Sequence, residues 1–288
     1  MNQFASGKKR SYYGKGDVIA YRLHRQGNQP QGQSPFFGAN VLLLIYGDAF
    51  WPTYTSGDNS NLVATDSMKN FIQRETLNYS GGDLEAYCRF LADKFLGTYP
   101  QAEGSQLTAT EIPYAPDGAS PVAFTPVGPD QAFARLEATR EGLVEIRSGV
   151  RGFKLLRLGG SAFHGFVRDQ YTTLPEIKNR PLHMWLDLDW SYVSPEAAFN
   201  KGAVTAAVRK IVHEVFAGFE SGSIQQVIHQ IGSRMLEDIA AIAEIHLEAN
   251  NRTWDTIVEQ GEALGVFTDA RPPYGCLGLT LHRSTNQR

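Results

Sequence analysis

The sequence predicts an α+β fold in which helices cover one face of an antiparallel sheet. Three observations predict it. Strand-like runs come in clusters instead of alternating singly with helices. Pairs of amphipathic helical stretches fall between those clusters. The order strand–strand–helix–helix–strand–strand occurs once in each half, although the halves share negligible identity. Two domains are expected, 12–141 and 142–288.

Each element has a local signal. Residues 1–11 are polar and read as a mobile terminus. Asp17–Tyr21 is an imperfectly alternating strand, and Gln26–Pro35, rich in Gln, Gly, Asn and Pro, is a loop. Ala39–Gly47 is a continuous apolar run, a buried strand joined to the first by a hairpin. Asp66 is placed to cap a helix over Ser67–Tyr79, where Met68, Phe71, Ile72 and Leu77 fall near helical spacing. Asp83 caps a second helix with Leu84, Tyr87, Cys88, Leu91, Phe95 and Leu96 on one face. Leu107–Ile112 is a strand. Residues 113–129 are rich in Pro and Gly, with strand material on either side. Ala132–Thr139 and Leu143–Arg147 form another strand pair.

The second half repeats the order. Phe153–Leu158 and Phe163–Val167 read as strands, and His183–Tyr192 alternates strongly, with Met184, Leu186, Leu188 and Trp190 on one face. Pro195 opens a long helix to about Phe219. Ser223 caps another, striped by Ile224, Ile228, Ile231 and Met235. Ala241–Glu248 and Gly275–His282 close the sheet. Such a sheet leaves open edges, which invite closure by further subunits.

The chain has 288 residues, enough for one large or two medium domains. A net charge of −3 implies no general affinity for nucleic acid or an anionic membrane, so an anionic ligand must be held by local cations. The longest apolar run, Val41–Tyr46, is too short to span a bilayer. No apolar signal region follows Lys8, Lys9 and Arg10, and the final Thr-Asn-Gln-Arg is not a peroxisomal tripeptide. The expected location is cytoplasmic. Cys88 and Cys276 lie outside any CxxC spacing, which fits a reducing compartment. His24, His164, His183, His213, His229, His246 and His282 show no metal-binding spacing. Gly159-Gly160 lacks the lysine of a phosphate loop, so no metal or cofactor is expected.

A few residues could carry chemistry on a flat anionic heterocycle. Arg180 offers a fork that can donate two parallel hydrogen bonds to a carbonyl–nitrogen edge; the bland alternative is a surface ion pair with Glu176 or Asp169. Phe163 could stack on a ring, or simply pack in the core. Gln225 opens a helix where backbone N–H groups and a side-chain amide point one way; alone it reads as a solvated glutamine. Lys15 sits between Gly14 and Gly16, where the backbone is permissive. A lysine near the Thr65 hydroxyl can relay its proton. Thr65 could equally be a plain helix-start residue.

Three segments carry a resemblance: Tyr13-Gly14-Lys15, Val63-Ala64-Thr65-Asp66-Ser67-Met68-Lys69-Asn70, and Phe163-His164-Gly165-Phe166-Val167-Arg168-Asp169-Gln170-Tyr171-Thr172-Thr173-Leu174 with the trailing Arg180. Together, in this order, they resemble the urate oxidase (uricase) family, bacterial type, from about Tyr12 to about Gly275. The resemblance implies tandem T-fold (tunnelling-fold) domains in a homotetramer with active sites between subunits. It implies cofactor-free oxidation of urate by dioxygen in purine catabolism. Lys15 and Thr65 would be the catalytic proton-relay pair, and Thr65 and Asp66 would approach the ligand from one subunit. Phe163 would stack on urate, Arg180 and Gln225 would clamp its edge, and Ile224 would offer a backbone contact, all from the other subunit. The family's asparagine at the oxygen or water site matches Asn250 or Asn251; a gapless match favours Asn250.

One position departs from that pattern. Many family members carry a relay histidine shortly after the asparagine, and the aligned position here is Arg252, which cannot shuttle protons at neutral pH. Two other readings compete with the oxidase. One is a T-fold enzyme acting on a purine or pterin without oxidation; the other is a binding protein that kept the fold. Lys15, Thr65, Phe163, Arg180 and Gln225 present together favour the oxidase.

Overall fold

Alternation and apolar runs set the first strands. In the computed structural model, β1 (Tyr13–Leu23) turns Val18, Ala20 and Arg22 inward and leaves Ile19, Tyr21 and Leu23 exposed. It pairs antiparallel with β2 (Phe36–Tyr46), whose Val41, Leu43 and Ile45 are fully buried. Arg22 is a buried cation made tolerable by its donors, which reach the carbonyls of Tyr79 and Gly81. The described residues are 4–5, 7, 9, 11–25, 35–118, 120, 122–261 and 264–284. Most of the predicted loop, 26–34, lies outside them, as do 1–3, 6, 8 and 10 of the predicted mobile terminus. Within that terminus Phe4 is buried against Tyr46 and Tyr12, so the segment is anchored there.

Three helices follow: α1 (Trp51–Ser56), α2 (Thr65–Thr76) and α3 (Leu84–Thr98). Sequence reading missed α1, which is too short to show periodicity. Asp83 does cap α3, accepting the Ala86 N–H at 2.9 Å. Asp66 does not cap α2. Ala64 holds the cap position, while the Asp66 carboxylate, at the second residue of the helix, accepts from Lys69 and Asn70.

Then come β3 (Gly104–Glu111), the short ribbon of β4 (Tyr114–Pro116) and β5 (Phe124–Pro126), β6 (Gln131–Thr139) and β7 (Gly142–Phe163). The last absorbs two predicted strands into one of 22 residues. β8 (Ile177–Tyr192) alternates as predicted. The predicted long helix from Pro195 is two pieces, a 3-10 turn Pro195–Ala198 and α4 (Ala203–Gly218). Lys201 and Gly202, with φ of 57° and 75°, break it. α5 (Ile224–Asp238) is capped by Ser223, as expected. β9 (Ile242–Thr253), the ribbon β10 (Thr256–Gln260) and β11 (Leu264–Phe267), and β12 (Arg271–His282) complete the chain.

The chain divides into two compact units, 1–149 with 191–205, and 150–190 with 206–288. In the first, the strand order is β1-β2-β3-β6 followed by the start of β7, and α2 and α3 lie on the sheet. Met68, Ile72, Tyr87, Leu91 and Phe95 bury that helical face with Leu43, Ile45, Leu107 and Leu136 of the strands. Each such side chain contributes about 1.5–3 kcal/mol when fully buried. In the second, the order is the end of β7, then β8-β9-β12, with α5 packed on β9 and β12. Its core holds Phe153, Met184, Leu186, Ile228, Ile231, Met235, Ile245 and Leu247. The pairings β1–β2, β2–β3, β3–β6 and β9–β12 are all antiparallel, so the architecture is the predicted α+β one.

Candidate active site

In the first unit, a bulge aims Lys15. Lys15 pairs with Leu43, and Val18 pairs with Val41, so three residues on β1 span two on β2. Leu43 and Val41 share the helix-covered face, and the extra residue puts Lys15 on that face with Val18. Asp17, at φ 53°, takes up the bulge. A β-carbon on Gly14 would stand 1.8 Å from the Leu43 carbonyl oxygen, so the tyrosine–glycine–lysine spacing is a packing requirement of this strand pair.

Tyr13 ties that strand to α2. Its hydroxyl accepts the Val63 N–H at 2.9 Å, and burial pushes its pKa up to about 12. Thr65, the first residue of α2, is exposed, as is Asp66 beside it. The Asp66 carboxyl is held below the usual range, first by Lys69, then by Asn70 and the charge of Lys15. Lys15, Thr65 and Asp66 therefore gather at the start of α2.

In the second unit, the end of β7 and the start of α5 are stitched together. Ala162 N–H donates to the Ser221 carbonyl at 2.7 Å, and Ser221 N–H to the Gly160 carbonyl at 2.9 Å. Arg157 fixes the same corner, donating to the carbonyls of Phe216, Phe219 and Gly160 and to the Ser221 hydroxyl. Sequence reading missed Arg157. Its only sequence signal is a charge at an inward position of a strand. Asn179 contributes from β8, accepting the Gly160 N–H at 2.8 Å. Ser221 lies two residues before the α5 cap, so the buried Ile224 and exposed Gln225 begin their helix beside the Phe163 end of β7.

Phe163 is half-buried; Phe166 stacks on its ring at 5.0 Å, and the Arg180 guanidinium lies 5.6 Å from its centroid. Arg180 precedes the inward residues Leu182, Met184 and Leu186 on β8, so it shares their helix-covered face. The ion pairs that composition suggested do not form. Glu176 accepts the Gly165 N–H, and Asp169 binds Tyr171 N–H and the Thr172 hydroxyl. The Arg180 Nε is buried with no partner, and desolvation draws the pKa of the guanidinium down. A half-buried guanidinium whose Nε is left unpaired is suited to a planar anion. Residues 164–176 are a loop, with Gly165 at φ 74°, and not the predicted strand Phe163–Val167.

On β9, Ile245, Leu247 and Ala249 face the helices. Alternation puts Asn251 on that face, in the strand next to Arg180, and Asn250 and Arg252 on the other. Among the described residues no group of three or more His, Cys, Asp or Glu side chains could hold a metal ion.

The Uricase family model matches residues 146–276. A uricase from Haloferax volcanii is 37% identical over 94% of this chain and 97% of its own length. The chain belongs to the uricase family. Family likeness extends to the "Uric acid degradation bifunctional protein" of Bacillus sp. TB-90, 39% identical over 97% of this chain. The chain spans about three fifths of that relative, 62%, and 63% of the Bacillus subtilis bifunctional protein PucL. Among solved structures, a thermostable variant of the Bacillus sp. TB-90 urate oxidase superposes with a TM-score of 0.84 at 37% identity, covering 95% of this chain and all of the other. The uricase of Arthrobacter globiformis gives 0.85 at 28% identity, covering 96% and 95%. The family's fold is thus shared, and no helix among the described residues is long and apolar enough to cross a membrane.

Proposed function

We propose that this chain oxidises urate with dioxygen and water to 5-hydroxyisourate and hydrogen peroxide without a cofactor. The observation that carries the reading is Arg180: a half-buried guanidinium with a buried, unpartnered Nε beside an aromatic ring, one strand from an inward asparagine. Urate binds as an anion, its edge clamped by Arg180 and Gln225, with the Ile224 N–H at the helix start adding a donor. The purine displaces Phe166 from the Phe163 face. Lys15 and Thr65 take a further proton from the bound anion. Dioxygen adds to the electron-rich ring to give a hydroperoxide, and water then displaces peroxide. Asn251 holds the oxygen or water site; the alternation along β9 supports it over Asn250. The protein supplies position and electrostatics.

Lys15, Thr65 and Asp66 belong to one compact unit, and Phe163, Arg180, Ile224, Gln225 and Asn251 to the other. That division supports a site shared between subunits, and we take the assembly to be a homotetramer built from T-fold domains 12–141 and 142–288. The free thiols of Cys88 and Cys276 support residence in the cytoplasm. The test is the loss of urate's ultraviolet absorbance with the purified chain in air. Rapid loss in the parent and none with Arg180→Ala is expected. A parent that leaves urate untouched while binding a pterin sends the assignment to a non-oxidative T-fold protein.

A further inference from the structure

Arg252 stands where the family pattern suggests a relay histidine, yet its side chain points away from the clamp. Its guanidinium lies 4.0 Å from the Trp185 ring and 4.0 Å from the Tyr274 ring. Lys154 lies 4.9 Å from that same Trp185 ring. These four residues sit on β7, β8, β9 and β12, which are adjacent in that order. Cation, ring, cation and ring thus form a ladder across four strands, on the face opposite Arg180 and Asn251. Neither cation has a hydrogen-bond or ion-pair partner among the described residues. Burial draws the pKa of nearby His183 down; Asp269 opposes it, and Lys154 and Arg252 add to it.

The ladder stands where the pairing of β9 with β12 loses its register. β9 and β12 pair regularly as far as Arg252 with Tyr274, and the register then slips before Thr253 with Arg271. Pro272 and Pro273 fill the slip, and neither has an N–H to donate to β9. At this point side-chain stacking replaces ladder hydrogen bonds. Asn251, one residue before Arg252, is the last inward residue before the slip.

We propose that Arg252 is a positioning residue: clamped between Trp185 and Tyr274, with Lys154 closing the ladder, it fixes the end of β9 and thereby the Asn251 amide on the opposite face. It acts through Asn251 and moves no proton. The inference rests on the urate oxidase reading for the role of Asn251, while the ladder itself stands on geometry alone.

The test uses Arg252→Met, which keeps length and apolar volume but drops the charge, and Arg252→Lys, which restores a cation. In the full chain, Arg252→Met should lower kcat about tenfold, since small displacements of a positioned group slow turnover severely. KM for urate should stay within about twofold and the pH profile should keep its shape. Arg252→Lys should recover most of the loss. Arg252→Met added to Asn251→Ala should slow that variant no further, because both remove the same placement. Multiplying losses, a displaced pH profile or parental turnover in Arg252→Met would overturn the proposal. Amide exchange of residues 249–252 reads the ladder without activity and should quicken in Arg252→Met and recover in Arg252→Lys. Unchanged exchange sinks the ladder. A parent chain without urate turnover, with exchange responding as expected, sinks the functional reading and with it the assigned role of Asn251.

Discussion

Arg180→Met separates binding from folding. The guanidinium touches the Phe163 ring at 5.6 Å and has a buried Nε with no partner. Hydrogen bonds to a charged group are worth about 1.5–3 kcal/mol each, and two from one fork are not fully additive, so the clamp supplies about 3–4 kcal/mol. At 1.4 kcal/mol per tenfold, urate affinity should fall about 10²- to 10³-fold. Folding should respond in the other currency hardly at all. The lost cation–ring contact removes about 0.5–1 kcal/mol. Relief of a desolvated, unpaired donor offsets it, leaving stability within about 1 kcal/mol of the parent. Steady-state KM for urate, tryptophan quenching by the unreactive analogue 8-azaxanthine, and thermal unfolding of the same preparation together measure both sides. Unchanged affinity in a folded variant would refute the clamp. A large loss of stability would show that Arg180 holds the fold instead.

Further outcomes follow from other parts of the site and core. Thr65→Ala should slow turnover about 10²-fold with urate KM within about threefold, as expected for a lost proton relay; parental kcat would remove Thr65 from the relay. Gly14→Ala drives a β-carbon to 1.8 Å from the Leu43 carbonyl oxygen and should destabilise the chain by about 3 kcal/mol or more in chemical denaturation. Glu85 is buried and accepts from Ser148 at 2.6 Å and Tyr192 at 3.2 Å, and burial raises its carboxyl pKa. Folding therefore favours the protonated form: the stability Glu85 contributes is whole below the ordinary value of about 4.3 and is lost as pH rises through the folded value. Glu85→Gln keeps the acceptor without the charge, so its Tm relative to the parent should climb with pH across that window and level off below it. A Tm difference independent of pH would show that folding does not raise the pKa of Glu85.

The sequence carried the elements better than their joints. β8 was legible because period-two alternation survives intact from Met184 to Trp190, and α5 because Ser223 precedes a clean apolar stripe. In sequence, β7 is interrupted by Gly149, Gly152, Gly159 and Gly160, whereas the sheet absorbs them; Gly160 bends the strand at φ 72° without ending it. The helix expected from Pro195 failed at Lys201 and Gly202, where a positive φ at a lysine leaves no pattern to read. Asp66 has the residue type of a cap, but the cap backbone angles belong to Ala64, two residues earlier. The site was legible as a set of residue types and not as a geometry. Nothing in the sequence says that a bulge at Asp17 turns Lys15 inward. Nor does it say that alternation sends Asn251 and Arg252 to opposite faces of β9.

The central claim is urate oxidation by the chain's own residues, and one reaction followed three ways tests it most directly. Purified protein, treated with a strong chelator, is given urate in air-saturated buffer while urate absorbance, dissolved dioxygen and hydrogen peroxide are recorded together. The account predicts equimolar loss of urate and dioxygen and matching gain of peroxide, at a rate the chelator leaves unchanged. Urate loss without peroxide, a rate abolished by the chelator, or no urate loss at all would contradict it.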